Sequence, residues 1–287
     1  MERQVVPTEQ KLRWIRALIA AGVDAVQVGS FVHPEKVPQM ADTDRLFAEL
    51  QRQEGVVLSA LVLNERGLER ALAADVKMLC LGVSASETHS RKNTGMGIAE
   101  ATDRIVAIAR SGRDAGMRVQ VSVQSAFGCG YEGAVPEERV LELVSRFLDA
   151  GLTNLSLADT AGHAVPDQVE RLFGEVLVAE PSIEAACHFH NTYGLALANC
   201  WAAYCAGVTS FESSVAGLGG CPFTKIAGGN TCTEDFVHML QGMGLRTDVR
   251  LGALIEVAGD IARFFGREMP GTVYRTGTIA QAVGGNG

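Results

Sequence analysis

Seven short, largely apolar runs punctuate the chain: Ala25 to Phe31, Val56 to Asn64, Lys77 to Val83, Arg118 to Ser125, Asn154 to Asp159, Glu184 to His190 and Ser210 to Val215. Runs of this length and character suit parallel strands covered from outside by helices. A helix-like segment precedes each run. Six of these segments end in a small or acidic residue followed by Gly or Asp, at Ala21-Gly22, Glu54-Gly55, Ala74-Asp75, Ala115-Gly116, Ala150-Gly151 and Ala206-Gly207. A residue that enters the left-handed region closes a helix, and a strand directly after it is the αβ loop of a βα unit. At Glu180-Pro181-Ser182 a proline that cannot continue a helix does the same job. The seven marks recur every 20 to 41 residues, the spacing of a βαβ array. Helix starts carry matching signals at Pro7-Thr8-Glu9, Pro136-Glu137-Glu138 and Pro166-Asp167, each with proline near the first turn and acid beside it.

The strand ends decide between two parallel architectures. An open doubly wound sheet gathers its ligands at one switch point. Here most strands end in polar residues: Gln27 and Ser30, Ser84 and Ser86, Gln124 and Ser125, Ser156 and Asp159, His188 and His190, Ser213 and Ser214. Polar residues are costly within an apolar strand unless paired or functional, and a barrel collects its βα loops at one face. The reading is an α/β fold, a TIM (β/α)₈ barrel forming a single domain over residues 1–287, with helices from about residue 233 packed on it. Seven strands are visible and a barrel of this type needs eight. Six residues precede Pro7. At ~3.5 Å per residue they are too few to cross the barrel and turn into the helix, so the sequence is expected to lack a first strand.

At 287 residues the chain can bury about three quarters of its unfolded surface. Hydrophobic content of 47% against 20% charged is ordinary for a globular protein, and the net charge of -8 argues against a nucleic-acid or anionic-membrane surface. The Met1-Glu2-Arg3 start has no apolar signal core, and no apolar run approaches the ~18 residues of a membrane span. Seven cysteines, Cys80, Cys129, Cys187, Cys200, Cys205, Cys221 and Cys232, have no paired CxxC spacing and fit reduced thiols. A cytoplasmic protein with no nucleic-acid or membrane partner is expected.

Two stretches carry candidate chemistry. On a strand, alternate side chains share a face, so His188 and His190 project together while Cys187 and Phe189 point the other way. Two imidazoles on one face can chelate a borderline metal, or a harder one when oxygen ligands complete the shell; an ordinary hydrogen-bonded histidine pair is the alternative. After the last strand, residues 217–230 hold five glycines, Gly217, Gly219, Gly220, Gly228 and Gly229. Such a loop lets backbone approach a ligand and can act as a lid, or it is a plain surface connection.

The run Ser213-Ser214-Val215-Ala216-Gly217-Leu218-Gly219-Gly220-Cys221-Pro222-Phe223 resembles the signature of 3-hydroxy-3-methylglutaryl-CoA lyase, a TIM-barrel lyase of the DRE-TIM metallolyase group. The resemblance extends through Ser30-Phe31-Val32, Val37-Pro38-Gln39-Met40, Arg91-Lys92-Asn93, Gly128-Cys129, Tyr131-Glu132-Gly133, Ser156 to Thr160 and His188 to Gly194. It implies a divalent cation, Mg or Mn, bound by His188, His190 and Asn230. It also implies proton chemistry involving Asp159, His188 and Cys221. Gln27, Ser30, Asn93, Ser125, Thr160 and Gly219 are read as binding the substrate, an acyl-CoA, and a homodimer is expected.

Related Claisen-type synthases lack the cysteine loop, which favours a lyase. Three departures from the family pattern stand out: Gln27 replaces a glutamate, Asn191 replaces the usual aspartate, and the Arg-Asp pair normally found before the first helix is not in the sequence. Each removes negative charge near the cation or a ligand for it. A barrel of weakened activity that binds acyl-CoA or serves as a partner subunit is therefore a second reading, and a lyase for a different branched hydroxyacyl-CoA a third.

Replacing Cys221 with alanine tests whether its thiol takes part in the chemistry. Turnover is expected to fall by ~10²-fold or more, while stability stays within about 1 kcal/mol, as suits a loop cysteine that contributes little packing. Parallel steady-state kinetics and urea unfolding make the measurement. A large loss of stability with a proportionate loss of activity would point to a packing role.

Overall fold

The computed structural model describes residues 4–50, 53–219 and 228–279. From the N-terminus the elements are α1 (Thr8–Ala21), β1 (Ala25–Ser30), α2 (Thr43–Leu50), β2 (Val57–Leu61), α3 (Glu65–Ala73) and β3 (Met78–Ser84). Two helices follow, α4 (Glu87–Thr94) and α5 (Ile98–Asp114), then β4 (Arg118–Gln124), α6 (Glu137–Asp149), β5 (Asn154–Asp159), α7 (Pro166–Ala179), β6 (Glu184–Phe189), α8 (Ala196–Cys205) and β7 (Ser210–Glu212). The chain ends through α9 (Thr233–Gly242), α10 (Leu251–Phe265) and α11 (Val273–Thr276). Among the described residues no helix is long and apolar enough to cross a membrane.

The junctions marked in the sequence fold as their chemistry requires. Gly22, Gly55, Gly116, Gly151 and Gly207 have φ between 74° and 102°, and Asp75 takes the same left-handed region at 54°. All but Gly55 follow a helix end within two residues, and Gly55 lies five residues after α2 ends; each turns the chain into the next strand. The seven strands form one parallel sheet in the order β1 to β7, with β1 and β7 at its two edges. This is the α/β barrel architecture expected, with seven strands among the described residues.

Strand register fixes which residues share a face. Ser84 pairs with Gln124, Gln124 with Ala158, Ala158 with His188, and His188 with Glu212, so these five form one inward row. Below them Gly82, Ser122, Ser156, Ala186 and Ser210 form a second row of small residues. The alternate positions face the helices: Phe189 is fully buried, its ring 5.6 Å from Phe127, which in turn lies 6.2 Å from Phe173 of α7. Burying a side chain of this size contributes about 1.5–3 kcal/mol, and a one-residue slip of β6 would forfeit it by turning Phe189 into the interior and the two histidines against the helices.

After β7 the backbone makes a tight turn at 215–217, where Ala216 is held at φ 59° and its N–H donates to Glu234 Oε2 at 2.9 Å. Glu234 is fully buried and its Oε1 has no hydrogen-bond partner. Burial pushes this carboxyl up to about 7.

Because its folded pKa lies above the unfolded value, folding favours the protonated acid. The stabilisation is fully present below the ordinary glutamate range and is lost as pH rises through about 7. Glu234→Gln keeps a neutral side chain at every pH. The stability of this variant relative to the wild type is expected to rise by about 1–3 kcal/mol between about pH 5 and about pH 8 in urea unfolding. A pH-independent difference would contradict this.

Candidate active site

His188 and His190 stand at the C-terminal end of β6, and their Nε2 atoms approach to 3.3 Å. Beyond Phe189 the strand pairs with the segment after the glycine-rich loop: Thr231 N–H donates to Phe189 O at 3.0 Å and Asn191 N–H to Gly229 O at 2.7 Å. These two bonds flank an antiparallel bridge between His190 and Asn230 and so set Asn230 beside the histidines. The Asn230 amide nitrogen donates to Leu218 O at 2.8 Å. Its Oδ1 is buried without a hydrogen-bond partner.

The remaining ring nitrogens are also engaged. His190 Nδ1 lies 3.1 Å from Gly228 O, and a carbonyl can only accept, so the hydrogen of His190 sits on Nδ1 and Nε2 is bare. His188 Nδ1 lies 3.0 Å from Glu212 Oε2 on β7. Burial, and then the neighbouring His188, press the pKa of His190 down to about 4. Burial also opposes charge on His188, but the Glu212 carboxylate, together with the charge of Asp159 and the Asn230 side chain, outweighs it and holds His188 above the ordinary imidazole value.

Glycine is required where the loop roots meet. Gly219 has φ 115°, and a Cβ there would stand 2.3 Å from the Asn230 amide nitrogen. A Cβ on Gly229 would meet Gly217 O at 2.3 Å. Of this loop Gly220, Cys221 and the residues to 227 lie outside the described residues, so the expectation for Cys221 rests on sequence.

The other residues singled out in the sequence divide between the interior and the turns. Gln27 registers with Ser59 and faces the interior, where its side chain and that of Ser59 lie by Cys80. Gln124 lies over Gly82, whose missing Cβ makes room for its amide. Ser30 Oγ donates to Leu61 O, and Asn93 sits half-buried on α4. Ser125, at φ 56°, donates its N–H to Thr160 Oγ1 at 2.9 Å, which ties the ends of β4 and β5 together. Ser84 and Ser86 belong to the turn into α4, since Ser84 Oγ accepts from Ser86 N–H and Ser86 Oγ accepts from His89 N–H.

Asp159, expected to handle the substrate's proton, takes part in the turn that follows β5. It registers with Phe189, on the face of β5 opposite Ala158 and the His188 row. Its Oδ1 accepts from His163 N–H at 2.8 Å and its Oδ2 from Ala164 N–H at 3.0 Å. The carboxylate is fully buried and organises the turn from β5 into α7, although its charge still reaches His188. Glu212 was absent from the sequence reading. Its only sequence signal is its place next to Ser213-Ser214 at a strand end.

Comparison with known proteins places this geometry. A family model described as HMGL-like matches residues 1–261. The hydroxymethylglutaryl-CoA lyase of Bacillus subtilis (strain 168) is 38% identical over 265 residues, covering 92% of this chain and 89% of the relative. A 3-hydroxy-3-isohexenylglutaryl-CoA/hydroxymethylglutaryl-CoA lyase of Pseudomonas aeruginosa is 37% identical over 266 residues, 93% of this chain and 89% of the relative. The structure of an HMG-CoA lyase from Acinetobacter baumannii in complex with coenzyme A and 3-methylmalate superposes with a TM-score of 0.93 at 35% identity, covering 97% of this chain and 91% of that one. Fold and relatives together define an α/β-barrel enzyme. The chain belongs to the HMGL-like family.

The two roles for Asp159 separate experimentally. Asp159→Ala leaves two buried N–H groups without an acceptor, at about 1–3 kcal/mol each, so urea unfolding should show a loss of about 2–5 kcal/mol. Wild-type stability in this variant would contradict the turn-organising role.

Proposed function

We propose that this chain cleaves 3-hydroxy-3-methylglutaryl-CoA, or a similar branched 3-hydroxyacyl-CoA, to acetyl-CoA and a 3-oxo acid with the help of a divalent cation, Mg or Mn. The observation that carries this reading is the donor set at the end of β6. Two imidazole nitrogens 3.3 Å apart are closer than twice the roughly 2.0–2.1 Å of a metal–imidazole bond, so one ion can reach both. The buried, unpartnered Asn230 Oδ1 supplies an oxygen beside them. A buried carbonyl oxygen left without a donor costs about 1–3 kcal/mol, and a cation relieves it. The residues present therefore fit the ion.

When bound, the ion would supply a Lewis acid that makes the substrate hydroxyl more acidic, and Asp159 or a histidine accepts the proton the hydroxyl loses. The chain's own groups then have distinct tasks. His188, His190 and Asn230 hold the ion at the mouth of the barrel. The Ser125–Thr160 link and the Asp159 turn fix the neighbouring strand ends. Gln27 and Gln124 carry inward amides that can exchange hydrogen bonds with a polar acyl group. Cys221 is assigned the proton that the enolate carbon of departing acetyl-CoA must gain.

The test is release of acetyl-CoA from 3-hydroxy-3-methylglutaryl-CoA by the purified chain, with Mn²⁺ or Mg²⁺ and after chelation. Metal-dependent release is expected, and His190→Ala should reduce both Mn²⁺ binding and turnover by at least about 100-fold. Acyl-CoA binding without cleavage under any metal would replace the lyase with a binding barrel.

A further inference from the structure

We infer that Glu212 is a positioning residue: its carboxylate keeps the hydrogen of His188 on Nδ1 and thereby presents a bare Nε2 to the same point as His190. The inference rests on the metal-binding reading of the histidine pair. Its geometry comes from strand register, since His188 and Glu212 are direct partners across β6 and β7 and project to the same side. The Nδ1 to Oε2 distance of 3.0 Å is a hydrogen bond. An ionised carboxylate only accepts, so the ring must donate from Nδ1.

Both rings are thus held in the same way by unlike partners. A backbone carbonyl, Gly228 O, orients His190, and a carboxylate orients His188. Without these partners either ring is free to carry its hydrogen on Nε2, and an N–H pointed at the shared position would block a ligand. Their joint effect is to place two lone pairs face to face at 3.3 Å, an arrangement that repels unless a proton or a cation lies between them.

Glu212 adds a second effect. The donor set of two imidazoles and one carboxamide is neutral, and Glu212 brings a negative charge into direct contact with it. A carboxylate behind a ligating histidine raises the basicity of the ring as well as fixing it. Among the described residues no three His, Cys, Asp or Glu side chains are grouped so as to hold an ion, so Glu212 acts through His188 and not as a further ligand.

The experiment uses the full chain, stripped of metal. Ring ¹⁵N shifts of the histidines, recorded at about pH 9 where imidazoles are neutral, report which nitrogen carries hydrogen. In the wild type and in Glu212→Gln, whose amide carbonyl still accepts, His188 should show a protonated Nδ1 and a bare Nε2. In Glu212→Ala this preference should be lost, with His188→Asn providing the assignment. Titration with Mn²⁺ alone should then rank wild type above Glu212→Gln above Glu212→Ala, the last weakened by about 10–100-fold.

Thermal unfolding checks that both variants remain folded. If Glu212→Ala unfolds, the Glu212→Gln shifts and affinity decide. An unchanged His188 tautomer in Glu212→Ala with Mn²⁺ affinity within about twofold of wild type would overturn the inference, as would equal losses in both variants. A wild type that binds Mn²⁺ but releases no acetyl-CoA would sink the lyase reading and leave Glu212's role standing. A wild type that binds no Mn²⁺ would overturn the ion-presenting role.

Discussion

Two backbone hydrogen bonds, Thr231 N–H to Phe189 O and Asn191 N–H to Gly229 O, hold the site together. They join the end of β6 to a segment forty residues further along the chain, and His190 and Asn230 face each other between them. Each bond contributes only about 1 kcal/mol net. Their value lies in placement, because no helix or strand of the barrel otherwise positions Asn230. The same segment continues through Thr231 O, which accepts from Ser214 N–H, so the ends of β6 and β7 are tied to one strip of backbone.

That strip explains the crowding of glycine around it. A residue with a Cβ at Gly219 or Gly229 would push into the Asn230 amide or into Gly217 O, and the two loop roots could not close over the histidines. Glu234 braces the first root from below at Ala216 N–H, which lets a non-glycine residue stay in the left-handed region. Packing, backbone pairing and buried charge thus converge on a few ångströms of structure at one mouth of the barrel.

Much of this was legible in the sequence. The strands were visible because six of the seven αβ junctions use a residue that tolerates positive φ, and Gly22, Gly116 and Asp75 satisfy that need openly. His188 and His190 were legible because a strand repeats every two residues. Glu212 was hidden because partnership across strands depends on register between segments 24 residues apart, which no local pattern records. Asp159 and Ser86 are ambiguous in sequence for a related reason: turns and active sites both demand polar residues at strand ends, and Asp159 accepts two turn N–H bonds while its charge still reaches His188. Asn230 could be singled out only by resemblance, since an asparagine in a glycine-rich loop is ordinary turn chemistry.

The hydrogen bond from His190 Nδ1 to Gly228 O also carries a thermodynamic consequence. Gly228 is the backbone at which the glycine-rich loop rejoins the described chain, and its N–H donates to Thr192 Oγ1, two residues beyond His190. The root of the loop and the ring of a ligand are therefore one mechanical unit. Whatever favours the ligating orientation of His190 favours this placement of the 228–230 backbone by the same coupling free energy, and the reverse holds equally. Holding the ring and holding the root of the loop are thus one task, shared by two hydrogen bonds.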